Sequence, residues 1–296
     1  MVMDLLSKIE KQMPEFSKGQ KRIGRYIIEH YDKAAFMTAS KLGDTVGVSE
    51  STVVRFATEV GFEGYPQLQK NLQEIIRNRL TTVQRMNIID GQLGNEDVLT
   101  KVLTFDCEKI RRTIEETNRK DFSAAVDTIV NCKEIYVLGI RSSSILASFL
   151  SFYFNHIFPH VHNVNTSTAS EVFEQMLRIG EGDVLIAISF PRYSQRTLRA
   201  ARYAKSRGAT VIAITDSTSA PLAEVADILL LARSDMASFV DSLVAPLSLI
   251  NALIVAVGLK KKDEIAQTYA TLENIWEEYH VYEKTDGDRS NANEGI

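Results

Sequence analysis

The spacing of apolar residues changes character once along this chain. From residue 4 to residue 80 it keeps a helical period, with no run alternating in the manner of a strand. Lys18 to Tyr31 places Ile23, Tyr26, Ile27 and His30 on one face. A short helix from about Thr38 to Val46 turns Ala39, Leu42 and Val46 inward. Gly47 interrupts it, Ser49 opens a helix reaching to about Val60, and Gly61 and Gly64 close that one. Pro66 suits the first turn of a further helix carrying Leu68, Leu72, Ile75 and Ile76.

Residues 81–97 lose the period and contain Gly91, Gly94 and Asn95, which predicts a linker. Two helices follow, at about 98–118 and 121–132. Beyond them come continuous apolar runs: Ile135 to Leu138 followed by Gly139, Val184 to Ile188, Val211 to Ile214 and Ile228 to Leu231. His160 to Val164 is a weaker one. Stretches of helical length lie between them, such as Thr197 to Arg207. Apolar strands alternating with helices predict a parallel sheet covered on both faces. The expected fold is therefore α/β, with an all-helical domain at 1–80, a linker at 81–97 and a doubly wound parallel-sheet domain at 98–283. The polar tail at 284–296, rich in Gly, Asn and Asp, is expected to be disordered.

Composition changes this picture little. Hydrophobic residues at 45% and charged residues at 24% exclude a disordered or collagen-like chain. A net charge of −4 argues against a polyanion binder of the histone type, but its distribution is uneven. Residues 1–80 hold 12 basic and 10 acidic residues, and the remainder hold 22 and 28. The helical domain is thus the end suited to approach nucleic acid. Cys107 and Cys132 build no disulfide framework, and the five histidines show no metal-ligand spacing. The uncharged run from Ser242 to Leu259 contains Pro246, Ser248 and Asn251 and reads as a buried core or interface helix rather than a membrane span. The chain is expected to be cytoplasmic, with no membrane, metal or cofactor.

Two constellations carry chemistry. The first is Thr38 to Ala57, which has the spacing of a helix-turn-helix. Gly47 permits the turn, Val48 plugs it into the core, Ser49 can cap the second helix, and Val53, Val54 and Phe56 or Ala57 can anchor it. Ser49, Glu50, Ser51, Thr52 and Arg55 then occupy the half of a recognition helix that reaches base edges in the major groove. Their hydroxyls can bond bases or phosphates, and Arg55 can grip a guanine or neutralise a phosphate. Capping serines, a solvated Glu50 and a surface ion pair for Arg55 are the competing reading.

The second constellation is a pair of hydroxyl-rich turns. Gly139-Ile-Arg141-Ser142-Ser143-Ser144 follows the first strand, and Ser189 to Thr197, with Arg192 and Ser194, follows the central one. Such strand-to-helix turns suit a phosphate, which meets backbone N–H groups and the positive end of the helix. There is no GxGxxG and no GxxxxGK[ST]. Helix capping by Ser142 and Ser194, and an interface contact for Arg192, are the alternatives.

The order of these parts, with VSESTVVRFATEVGFEGYPQLQ followed by a sugar-isomerase-type (SIS) domain, resembles the RpiR family of bacterial transcriptional regulators over about residues 1–283. The resemblance implies DNA binding by the N-terminal domain to an inverted-repeat operator in double-stranded DNA. It implies a phosphorylated sugar effector in the SIS domain, and a homodimer or higher homo-oligomer. It places the recognition helix on Ser49 to Ala57, with Ser51, Thr52 and Arg55 as foremost contacts. The phosphate loops fall on Ser142-Ser143-Ser144 and on Ser189 to Thr197. Two departures stand out. Arg141 occupies a place where many SIS domains have glycine, and Phe190-Pro191-Arg192-Tyr193 replaces the usual Ser-Gly-containing stretch. Both suggest a more anionic ligand or a loop that meets a neighbour.

The rival expectation is a sugar-phosphate isomerase with an added helical domain, which needs a base to move a proton between C1 and C2. Residues 232–241 hold no glutamate where such isomerases carry one. Glu171 and Glu174 are possible substitutes, but their spacing fits a solvated or interface face better. A non-enzymatic sensor is the expectation. Dimerisation would use the helix at 242–259 or the one at 142–158.

Overall fold

The computed structural model describes residues 5–79, 97–165, 168–234 and 240–282. The expected linker, Asp97 apart, and the expected tail lie outside these residues. The chain divides into two compact units between Asn95 and Glu96, each with its own core.

The first unit holds α1 (Leu5–Gln12), α2 (Lys18–Glu29), α3 (Tyr31–Ala34), α4 (Ala39–Val46), α5 (Glu50–Glu59) and α6 (Tyr65–Arg79). A reciprocal pair starts α2: Ser17 N–H donates to Gln20 Oε1 at 2.9 Å, and Gln20 N–H to Ser17 Oγ at 3.4 Å. Ile23 and Ile27 form its inner face as expected, whereas His30 is the exposed C-cap where the chain bends into α3. Phe16 and Phe56 meet edge to face at 5.2 Å among Ile9, Ile23, Leu42, Val53, Leu68 and Leu72, all buried. The Tyr65 hydroxyl fastens α6 across the unit by donating to the Met37 carbonyl at 2.8 Å and the Ala34 carbonyl at 3.3 Å. Gln69 and Gln73 donate to Met37 and Ala35 beside it. These carbonyls lie around the end of α3, where a four-residue helix leaves acceptors to be satisfied from outside.

The second unit begins with α7 (Val98–Glu116) and α8 (Arg119–Asn131). Then follow β1 (Ile135–Gly139), α9 (Ser142–Phe154), β2 (Val161–Val164), α10 (Ala169–Gln175), β3 (Val184–Ile188) and α11 (Gln195–Ser206). The unit ends with β4 (Thr210–Thr215), β5 (Ile228–Leu231), α12 (Val244–Lys260) and α13 (Lys262–Glu278). The strands are parallel in the order β2-β1-β3-β4-β5. Their side chains sort by the strand period of two. Ile135 and Val137 of β1 face α8, α9 and α12, while Tyr136 and Leu138 face α10 and α11. Strands β1 and β3 are buried along their whole length and read as unbroken apolar runs. Strand β2 lies at the edge with only Val164 buried, which is why its pattern is faint.

The uncharged run is mostly α12, which buries Ala245, Pro246, Leu249, Ile250, Leu253, Ile254 and Val257. No single helix among the described residues is long and apolar enough to cross a membrane. Helix α13 leaves α12 at 99° with no buried residue. Helix α7 inverts the usual arrangement, since its buried residues are Lys109 and Thr113. It is held by polar groups at the far end of β5. Ser242 donates to Asp106 at 2.7 Å, with Lys109 pairing the same carboxylate at 3.0 Å. Arg233 N–H donates to Thr113 Oγ1 at 2.9 Å, the Arg233 guanidinium pairs with Glu116, and the Thr117 hydroxyl donates to the Leu231 carbonyl.

Candidate functional site

In the helical unit two glycines set how α5 leaves α4. Gly47 adopts the left-handed conformation at φ 69° and donates its N–H to the Gly43 carbonyl. A Cβ on Gly43 would stand 2.8 Å from the Val48 carbonyl, so the turn closes against bare backbone. Val48 packs half-buried below it. Ser49 takes the N-cap position of α5, but its hydroxyl caps no N–H. It lies instead 2.9 Å from the Ser51 hydroxyl and 2.8 Å from that of Thr52. The competing hydroxyls correct the capping expectation, and the positive end of the helix is not closed by Ser49.

Val53, Phe56 and Ala57 anchor α5, whereas Val54 does not: it is 40% exposed. Ser51, Val54, Arg55 and Thr58 form the outward stripe at helical spacing, with Glu50 beside its start. Thr52 is half-buried towards α2, where a Cβ on Gly19 would meet its methyl at 3.5 Å. Arg55 Nε donates to the Ser51 carbonyl at 3.4 Å, laying the guanidinium back towards the N-terminal half of the helix. Sequence reasoning missed two members of this surface. Val54 offers an apolar contact of the kind that reads a thymine methyl. The Arg22 guanidinium from α2 lies over the turn, 3.2 Å from where a Gly47 Cβ would be. Neither was legible in the sequence: Val54 was taken for an anchor beside Val53, and the place of Arg22 depends on how α2 crosses α4.

In the sheet unit the candidate residues gather at the carboxyl ends of β1 and β3, neighbours that pair Gly139 with Ile188. The chain passes from β1 outward to β2 and returns to β3, so this is where the strand order reverses. Open α/β sheets bind ligands at such a switch point. The turn after β1 is tight, since a Cβ on Gly139 would fall 2.2 Å from the Ser143 carbonyl. Arg141, and not Ser142, is the N-cap of α9, at φ 60° and ψ −126°. Ser142 is the exposed first residue of the helix and Ser143 is buried. The Ser144 hydroxyl turns back to donate to the Arg141 carbonyl at 2.6 Å.

The turn after β3 is organised around its hydroxyls. Ser194 N–H donates to Ser189 Oγ at 3.2 Å, and Thr197 N–H donates to Ser194 Oγ at 3.3 Å, so Ser194 is the N-cap of α11. Thr197 is fully buried and its hydroxyl has no hydrogen-bond partner among the described residues. Phe190 and Pro191 are buried, and Arg192 between Pro191 and Tyr193 is exposed at φ 65°. The Tyr193 hydroxyl donates to Asp216 at the end of β4, at 2.9 Å; Thr215 does so at 3.3 Å. Asp216 was not anticipated, because nothing in the sequence ties it to a loop 23 residues earlier.

Helices α9 and α11 pack on opposite faces of the sheet, so the two turns diverge and the N-termini of both helices lie at the carboxyl edge shared by β1 and β3. That geometry can receive an oxyanion. Glu171 and Glu174 are exposed on α10. His162 stacks on Tyr136 at 4.5 Å and bonds Glu134 at 2.9 Å, while His156 meets the Tyr269 hydroxyl at 3.2 Å. Both serve edge and helix-end packing. His162 and Tyr136 together hold the Glu134 carboxyl below its ordinary pKa by hydrogen bonds. No group of three or more metal-ligating side chains exists among the described residues.

Comparison with known proteins joins these two sites. Residues 3–79 match the helix-turn-helix domain of the rpiR family, and residues 128–256 match the SIS domain. An uncharacterised HTH-type transcriptional regulator of Caldanaerobacter subterraneus is 25% identical over 275 residues, covering 89% of this chain and 94% of that protein. The HTH-type transcriptional regulator HexR of Pseudomonas aeruginosa is 23% identical, covering 87% of this chain and 90% of its own length. Among solved structures, the Vibrio vulnificus NanR protein complexed with ManNAc-6P has a TM-score of 0.57 at 22% identity, covering 92% of this chain and 98% of that one. The sugar isomerase domain of an RpiR transcription factor from Sphaerobacter thermophilus also scores 0.57, at 24% identity over 60% of this chain and 99% of that one. With the helix-turn-helix domain and the SIS domain both present, in that order, the chain belongs to the RpiR family of transcriptional regulators.

Proposed function

We propose that this protein controls sugar-metabolism genes by binding an inverted-repeat operator, and that a phosphorylated sugar at the carboxyl edge of its sheet alters that binding. The observation that carries the effector half is the pair of serine turns, Gly139 to Ser144 and Ser189 to Thr197, side by side at the switch point of the sheet. The phosphosugar in the NanR complex supports the ligand class. The operator half rests on the outward stripe of Ser51, Val54, Arg55 and Thr58, with Arg22 at the turn as a phosphate contact.

Two further features fit this reading. Exposed Ile145 and Phe152 on α9, with Val255 and Leu259 on α12, offer apolar area for a homodimer or higher homo-oligomer, which an inverted repeat requires. Helix α7 directly follows the expected linker and is tied by Asp106, Thr113 and Glu116 to the chain leaving β5. Displacement at the sheet edge therefore has a bonded route towards the linker. A sensor without turnover is favoured over an isomerase, because Glu171 and Glu174 stand exposed on α10.

The test is affinity selection of the host's genomic fragments by the full protein at ~0.15 M salt, where non-specific binding is weak. Recovery of a few inverted-repeat sites, at a yield that changes with one sugar phosphate, is expected. Recovery of no specific site, with or without sugar phosphates, overturns the proposal.

A further inference from the structure

Helix α13 is 17 residues long, has no buried residue and stands at 99° to α12. Helices in water owe most of their stability to packing one face, and α13 has little of its own chain to pack against. Its first half leans on the unit. Ile265 lies over Gly258, where an added Cβ would meet its Cδ1 at 3.2 Å. The Tyr269 hydroxyl meets the His156 ring nitrogen at 3.2 Å, with the rings 5.5 Å apart, and Tyr269 in turn meets Trp276 at 6.5 Å.

Beside that braced flank runs an open stripe. Ile265, Thr268, Leu272, Ile275 and Tyr279 follow one another at spacings of three, four, three and four residues. This is the seam of a coiled coil, narrower than the apolar face of a helix that covers a core. Ile275 is 43% exposed and Tyr279 71%, while Thr268 and Leu272 are half-buried. The Thr268 hydroxyl donates to the Glu264 carbonyl at 3.0 Å, so the polar member of the seam is already satisfied within the helix.

Such a seam fits another helix, and this one is complementary to itself when reversed. Turned antiparallel about an axis beside Ala270, the midpoint of α13, it sets Ile265 opposite Ile275 of a second copy and Thr268 opposite Leu272. The ends agree. Glu278 at the close of one helix comes to the start of the other, where Lys261 pairs with Glu264 at 3.0 Å and Lys262 is exposed. A parallel pair would set Glu278 against Glu278. The acidic residues of α13, Asp263, Glu264, Glu273, Glu277 and Glu278, repel DNA and anionic lipid as occupants of this face.

We infer that α13 pairs with the α13 of a second copy of this chain as a short antiparallel coiled coil. The contact is isologous and uses other residues than the apolar area of α9 and α12. It rests on neither the operator nor the effector.

Sedimentation of the full chain over a concentration series tests the pairing. Leu272→Glu and Ile275→Glu each put a charge into both halves of the seam. Each is expected to weaken association on the order of a hundredfold and so to halve the mass, from tetramer to dimer or from dimer to monomer. Thr268→Ile completes the apolar seam and should tighten association about tenfold. Orientation is read with a short bismaleimide in a Cys107→Ser chain, since burial pushes the Cys132 thiol up to about 11 and keeps it unreactive. Thr271→Cys, flanking the seam one residue from the axis, should cross-link two copies. Glu264→Cys on the same flank should not, because antiparallel pairing parts the two positions by about 18 Å along the helix. A chain that sediments as a monomer, or an association unmoved by both glutamate variants, overturns the inference. So does cross-linking at both positions or at neither. If the glutamate variants also lower the melting temperature, Thr268→Ile decides, and unchanged association there overturns the pairing.

Discussion

The two units solve the same problem, aiming polar side chains from a tight turn, in opposite ways. The helical unit puts glycine where the backbone turns left-handed, at Gly47 and Gly61, and carries its candidate DNA-reading side chains on the relaxed helix α5. The sheet unit also uses glycine, at Gly182 and Gly208, but in the turns after β1 and β3 it puts Arg141 and Arg192 at positive φ, so there the strained position and a candidate binding side chain are one residue. In the first unit the proposed recognition would be separable from stability. In the second the two would oppose one another, since relieving the turn removes the charge.

The largest effect that probes this contrast is Phe56→Ala. The ring is fully buried against Phe16 at the centre of the helical core, and truncation should destabilise that unit by about 4 kcal/mol. Urea unfolding followed by circular dichroism should show an early helical transition, while phosphosugar binding by the sheet unit survives. Loss of both together would show that the units do not keep separate cores.

Next come the glycines. Gly139→Ala should cost about 3 kcal/mol, because the new Cβ lands on the Ser143 carbonyl at 2.2 Å and backbone has little room to move. Gly47→Ala should cost about 1 kcal/mol, since its nearest neighbour is the flexible end of Arg22 and only the positive φ resists. Equal losses in the two variants would mean that the turns are equally constrained.

Much of the architecture was legible in the sequence for one reason: buried elements print their period. Strands β1, β3, β4 and β5 appear as apolar runs at the residues where they occur, and Gly47 announces its turn. What escaped depends on contacts between distant segments. Helix α13 buries no residue that would tie its pattern to the core, and although α7 was expected at about 98–118, its fastening by Asp106, Thr113 and Glu116 was not. At the sites, residue types were readable and orientations were not. Ser49 was placed at the right cap position, but its hydroxyl bonds Ser51 and Thr52. Val54 was assigned inward and points out, because one residue along a helix turns the side chain by about 100°. Arg141 and Arg192 were readable as departures, while their positive φ was not.

A smaller effect tests the relaxed reading surface. Arg55→Ala should cost ~1–3 kcal/mol of specific operator binding if the residue reads a base, with the helical unit's unfolding midpoint unchanged. If Arg55 touches only phosphate, the loss is uniform across sequences and the salt slope falls by about one. A shifted midpoint would show that recognition and stability are coupled in this unit too.

The smallest effect concerns a buried ionisable side chain that fastens the helical unit. Burial pushes the Tyr65 phenol from its ordinary 10.0 up to about 12, since the phenolate would lose its water while facing the carbonyls of Ala34 and Met37. The neutral form is favoured in the folded state, so its contribution is fully present below pH 10 and is lost as pH rises towards about 12. Tyr136 in the sheet unit is displaced in the same direction, by burial first and then by its bond to Glu134, so both units weaken in alkali. Comparing wild type with Tyr65→Phe isolates one phenol from that shared decline. At pH 7 the variant should be less stable by about 1 kcal/mol, the worth of the lost hydrogen bonding. The gap should then close above pH 10 and reverse before about pH 12, because the phenol ionises in the unfolded chain while burial still holds it neutral in the folded one. Unfolding midpoints for the two proteins across that range decide the matter: a gap that stays constant with pH would mean that Tyr65 is not held neutral by its burial.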